Sequence, residues 1–119
     1  MLEGLWTATF ASNVDAFKEG SPAEGSGIFI FEANRVYGGD SFYYYVGSCE
    51  DVIGNNFKGI LHITRYIENT GSIFGNLSKF DLDFIAEIND KEIIATGLLV
   101  QDRRHSFVAR LLKRTELSG

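Results

Sequence analysis

The sequence predicts an all-β fold: a single antiparallel up-and-down barrel of about eight strands, lipocalin-like in architecture. Three observations carry this. Glycine occurs 13 times against one proline, and the glycines fall between apolar segments. That is the punctuation of short strands joined by tight turns. Several segments alternate apolar and polar residues with the period of two that places one strand face on a core. The links between segments are short, and a meander of this kind removes its exposed edges most simply by closing on itself.

The elements follow in order. Leu5 to Ala11 sets Trp6, Ala8 and Phe10 against Leu5, Thr7 and Thr9. A polar stretch, Ser12 to Gly25, reads as a loop, with one helical turn around Val14 to Lys18 as the alternative. Ile28-Phe29-Ile30-Phe31 is an apolar β-rich run, Asn34-Arg35 a turn, and Val36-Tyr37 a further strand. Gly38-Gly39 allows positive φ at both positions, as a type I′ hairpin turn requires. Phe42 to Val46 is aromatic and β-branched throughout. Phe57 to Ile67 puts Ile60, His62, Thr64 and Tyr66 on one face and Leu61, Ile63 and Arg65 on the other. Phe80 to Ile88 gives the cleanest alternation, with Phe80, Leu82, Phe84, Ala86 and Ile88 inward and Asp81, Asp83 and Glu87 toward water. Turns at Asn89-Asp90-Lys91 and Gln101 to Arg104 lead into Ile93 to Val100 and Phe107 to Leu112.

The chain of 119 residues is read as one domain, 1–119. It is long enough to bury about two-thirds of its unfolded surface without a disulfide or metal. Cys49 is the only cysteine, so no bridge forms within the chain. The start, Met-Leu-Glu-Gly-Leu-Trp, has no basic and apolar leader pattern, and a cytoplasmic location is expected. A net charge of −5 argues against direct nucleic-acid binding and against an anionic membrane surface. The same acidity suits a basic protein partner or simple solubility.

No set of residues resembles an active site, and no enzyme, cofactor or metal is expected. His62 and His105 are far apart in sequence and lack acidic or cysteine partners at ligand spacing. Cys49 stands beside Glu50-Asp51, which raise a thiol pKa and weaken it as a nucleophile. Ser41, Ser48 and Ser72 lack a nucleophile elbow, and Gly25-Ser26-Gly27 lacks the lysine and helix of a phosphate loop. The expected lumen lining is Trp6, Phe10, Phe42, Tyr44, Phe80 and Phe84. A barrel of this size is either filled by its side chains or holds one small ligand. In the run Tyr43-Tyr44-Tyr45, an inward Tyr44 presents Tyr43 and Tyr45 outward, and exposed tyrosine pairs suit a protein interface. The competing reading is ordinary packing under a loop.

The string Gly38-Gly39-Asp40-Ser41-Phe42-Tyr43-Tyr44-Tyr45-Val46-Gly47 carries a resemblance. Gly4, Trp6, Phe10, Gly25 and Gly27 precede it, and Ile60-Leu61-His62-Ile63-Thr64-Arg65-Tyr66 follows. Together they resemble the GrlR family, negative regulators of type III secretion with uncharacterised bacterial relatives. The resemblance implies a lipocalin-like barrel with an apolar interior, a homodimer, and regulation by binding a protein such as a transcriptional activator. The best-known member carries an acidic stretch tied to regulation where this chain has Asn55-Asn56-Phe57-Lys58, with Glu50 and Asp51 the only acids nearby. The expected interaction surface is therefore Tyr43, Tyr45, Glu50, Asp51, Asn55 and Asn56. The expected function is a non-enzymatic regulatory or interaction module, with a barrel taking an apolar ligand in its lumen as the alternative.

Overall fold

The computed structural model describes residues 2–11, 25–51, 53–67 and 78–118. Eight strands run β1 (Gly4–Ala11), β2 (Gly25–Glu32), β3 (Arg35–Gly39), β4 (Tyr43–Asp51), β5 (Asn56–Arg65), β6 (Lys79–Asn89), β7 (Glu92–Leu99) and β8 (Ser106–Thr115). Each pairs antiparallel with the next, and β1 pairs with β8 to close the barrel in the order β1-β2-β3-β4-β5-β6-β7-β8. Closure leaves no open sheet edge. The loop expected at Ser12 to Gly25, with its alternative helical turn at Val14 to Lys18, lies outside the described residues up to Gly25, which begins β2. Ser72 also lies outside them.

Strand direction sorts the connections between two ends. The links β2–β3, β4–β5 and β6–β7 share one end with both chain termini. Two of these links are tight, and each spends one non-glycine residue in the left-handed region, Ala33 at φ 55 and Asp90 at φ 57. The turn expected at Gly38-Gly39 is displaced. Both glycines lie inside β3, opposite Phe29 and Ile28 on one side and Tyr45 and Tyr44 on the other. Gly38 is there for close approach: a Cβ at that position would sit 2.1 Å from the Ile28 carbonyl oxygen. The chain turns instead at Asp40 to Phe42. There the Asp40 carboxylate accepts the backbone N–H groups of Phe42 and Tyr43, both at 2.8 Å, an Asx-turn.

The inward faces fuse into one aromatic core. Trp6 meets Phe31 edge-on at 6.1 Å, and Phe31 meets Phe57 at 6.2 Å. Phe29 stacks on Tyr45 at 5.0 Å, and Phe10 meets Tyr45 at 6.3 Å. Each pair is worth about 0.5–1.5 kcal/mol beyond the area it buries. Trp6, Val36, Tyr43, Phe80 and Ile93 are the largest fully buried side chains. A cation stands inside the wall near each end. Lys113 has a side chain only 6% exposed, lies 5.9 Å from the Trp6 ring and pairs with Glu116 at 2.7 Å. Arg65 lies over the Tyr43 ring at 5.4 Å and donates to the Tyr43 hydroxyl at 2.9 Å.

Candidate functional site

The aromatic side chains leave an entirely apolar cavity of about 70 Å³ inside the barrel, bounded by residues that include Phe29, Tyr45, Phe57, Leu82, Phe107 and Leu111. Small-molecule pockets usually measure ~300–1,000 Å³. An engineered cavity that admits benzene measures about 150 Å³. The lumen is therefore nearly filled. Of the lining expected from the sequence, Trp6, Phe10 and Phe80 are buried in the core, while Phe42 and Phe84 pack against it from partly exposed positions. Phe84 borders both the cavity and an outer groove. Its cross-strand partner is Gly59, where a Cβ would meet the Phe84 ring at 2.7 Å, so the ring covers the bare backbone.

The tyrosine run is reversed from expectation. Tyr43 and Tyr45 are 1% and 2% exposed, and Tyr44 is 46% exposed. Asp40 decides this parity. By capping Phe42 and Tyr43 it starts β4 at Tyr43, and its other carboxylate oxygen accepts the Tyr45 hydroxyl. The Tyr43 hydroxyl accepts from Arg65. Both inward phenols thus have a polar partner, the condition for burying tyrosine. Burial first, and the Asp40 hydrogen bond second, push the Tyr45 phenol far above its ordinary range. Phe42 shares Tyr44's parity yet packs inward because it belongs to the turn before the strand.

The outward face of the same region carries what the tyrosine argument sought. Cross-strand register aligns Leu5, Ile30, Tyr37, Val46, His62 and Asp81 in one row from β1 to β6. Its first four members are apolar or aromatic. Tyr37 is 40% exposed and has Arg35 5.8 Å from its ring centre. Ile28 and Tyr44, in the row beside it, are also exposed. Sequence reasoning missed this patch because Ile28-Phe29-Ile30-Phe31 is apolar at both parities, so no alternation marks its outer half.

Of the remaining candidates only His62 adjoins this patch, opposite Val46. Glu50, Asp51, Asn55 and Asn56 are exposed at the β4–β5 end, with Glu50 paired to Lys58 at 3.5 Å. His62 faces Asp81 at 2.7 Å, and His105 lies 3.6 Å from Asp102. Hydrogen bonds from Arg104 hold the Asp102 carboxyl at about 2. Cys49 is buried, and burial, then the Asp51 charge, raises its thiol pKa. Among the described residues no group of three or more His, Cys, Asp and Glu gathers in a metal-holding arrangement. No described helix is long and apolar enough to cross a membrane. No protein-family model matches the chain, and no curated protein matches it.

Proposed function

We propose that this protein is a non-enzymatic regulatory module, cytoplasmic and homodimeric, that works by protein contact through the outer face of β2–β4. The observation that carries the reading is the apolar row Leu5, Ile30, Tyr37 and Val46 with Ile28 and Tyr44 beside it, on a barrel whose lumen is nearly full. Apolar side chains gathered on the outside of a barrel mark a contact more often than scattered ones do. A two-fold axis through such a row uses each residue twice, which suits an isologous dimer. The sequence resemblance to GrlR-type negative regulators of type III secretion supports the regulatory sense of that contact. Binding of a transcriptional activator belongs to the same proposal. The dimer contact assigned from sequence to Tyr43 and Tyr45 passes to Tyr37 and Tyr44.

The carrier reading stands second. A lumen of about 70 Å³ with wholly apolar walls offers neither the room nor the polar anchors that orient a ligand. Light scattering at micromolar concentration separates the two. A dimer that becomes a monomer in the Tyr37→Ser, Tyr44→Ser double variant supports the contact proposed here. A monomeric wild-type protein overturns the dimer, and a dimer indifferent to both changes overturns the contact through Tyr37 and Tyr44.

A further inference from the structure

A second feature lies on the outside of the barrel, where β8, β1 and β2 meet. A surface groove of about 430 Å³ runs over these strands, with Thr7, Thr9, Ser26, Arg110 and Arg114 among its walls. Register places Thr9 directly between Ser26 and Arg110. The β1–β8 pairing steps by one residue between Trp6↔Lys113 and Leu5↔Thr115, which leaves Arg114 as the extra residue of a bulge. Bulges re-aim the side chain they carry. Here the Arg114 Nε donates to the Thr7 hydroxyl at 2.8 Å, laying the guanidinium along the groove wall.

The arginines around β6–β8 differ in their charge partners. Arg103 meets Asp83, Arg104 meets Asp102, and Arg110 meets Glu92. Arg114 meets no carboxylate among the described residues; its hydrogen-bond partner is a neutral hydroxyl. A guanidinium has five N–H donors, so its two Nη groups keep a fork suited to a planar or tetrahedral oxyanion. Thr7 spends a lone pair on Arg114 and retains its own hydroxyl proton. Thr9 and Ser26 add two further hydroxyl donors in adjacent register positions. No acid lines the groove, in a chain whose net charge is −5.

We infer that this groove binds the oxyanion group of a small molecule, a phosphate or a carboxylate. Arg114 supplies the charged fork, Thr7, Thr9 and Ser26 the neutral donors, and Arg110 a second cation already oriented by Glu92. The site borders the contact proposed for β2–β4 at Ile28, while its charged donors lie on β8.

The test is an amide NMR titration of the full chain at constant ionic strength, with inorganic phosphate in one arm and acetate in the other. The expected result is a saturable shift at Thr7, Thr9, Ser26 and Arg114 in at least one arm. Saturation with phosphate alone assigns a phosphate; saturation in both arms assigns a carboxylate-tolerant site. Arg114→Gln weakens the affinity roughly tenfold or more, the worth of a charge-assisted bidentate contact. Thr9→Val weakens it by a smaller factor, and Arg104→Gln, in the β7–β8 turn, leaves it unchanged. Linear shifts in both arms, shifts spread over the whole barrel, or equal affinity in Arg114→Gln and wild type overturn the assignment.

Discussion

The outer surface of the barrel has two characters, and one row of residues crosses from one to the other. Over β1–β4 the row reads Leu5, Ile30, Tyr37, Val46; over β5 and β6 it reads His62, Asp81. Beyond that point charged outward residues pair: His62 with Asp81 across strands, Arg103 of the β7–β8 link with Asp83, and Arg110 with Glu92 across strands. The polar side is complete in water, because exposed ion pairs stay hydrated and contribute little to stability. The apolar side gains by being covered, since each buried apolar Å² is worth about 25 cal/mol. Stability therefore resides inside the barrel, and the outer surface has a hydrated side, interrupted by the exposed Ile85 and Ile94, and an apolar side suited to contact.

The largest effect that tests this division lies inside. Trp6→Ala, at a position 0% exposed, is expected to cost about 3–5 kcal/mol in denaturant unfolding. Phe84→Ala should cost less, roughly 2–3 kcal/mol, because the ring also faces the outer groove. A Phe84 loss under about 1 kcal/mol would mean that the ring contributes nothing to the core.

Next comes the polar support of the inward tyrosines. Tyr45→Phe leaves the Asp40 carboxylate without its phenol partner and should cost about 1–3 kcal/mol. The Tyr45 phenol and the Cys49 thiol both have raised pKa values in the folded state. Both groups therefore favour folding while neutral. Their contribution is whole below the ordinary values of 9.0 for the thiol and 10.0 for the phenol, and it is lost as pH rises above them. Unfolding midpoints measured from pH 7 upward should be flat at first and then fall in the alkaline range. Tyr45→Phe should make that fall shallower, and a profile unchanged by the substitution would show that the phenol plays no part in it.

The hydrated side should respond least. Asp81→Asn, which removes the carboxylate facing His62, should change stability by no more than about 1 kcal/mol, and high salt should shrink the difference further. A larger, salt-resistant loss would show that this side is more than a solvated surface.

How far the sequence discloses these regions depends on where its alternation is informative. Phe80 to Ile88 carries acids at every second position over much of its length, and its two faces are legible from the residues alone. So are the number of strands, their sequential pairing and the turns at Asn89–Lys91 and Gln101–Arg104. Ile28 to Phe31 and Tyr43 to Tyr45 are apolar or aromatic at both parities, and a period of two cannot be read from a run that does not alternate. Their faces are set by a neighbour in the case of the tyrosines: the Asp40 carboxylate caps Tyr43 to begin β4, and its bond to Tyr45 turns that ring inward. The glycines at 38 and 39 suggest a turn by composition, whereas their use is close strand approach. Arg114 is hidden for a related reason: a bulge is a property of pairing between distant strands, and nothing local announces it.

The most direct test of the contact face is oxidative footprinting of tyrosine and histidine as a function of protein concentration. His105 is the internal reference, since its side chain is 62% exposed and stands in the β7–β8 link, away from the apolar row. Tyr37 and Tyr44 are expected to become protected as concentration rises through the micromolar range while His105 stays equally reactive. Unchanged reactivity at Tyr37 and Tyr44, or protection centred on His105, would contradict a contact through β2–β4.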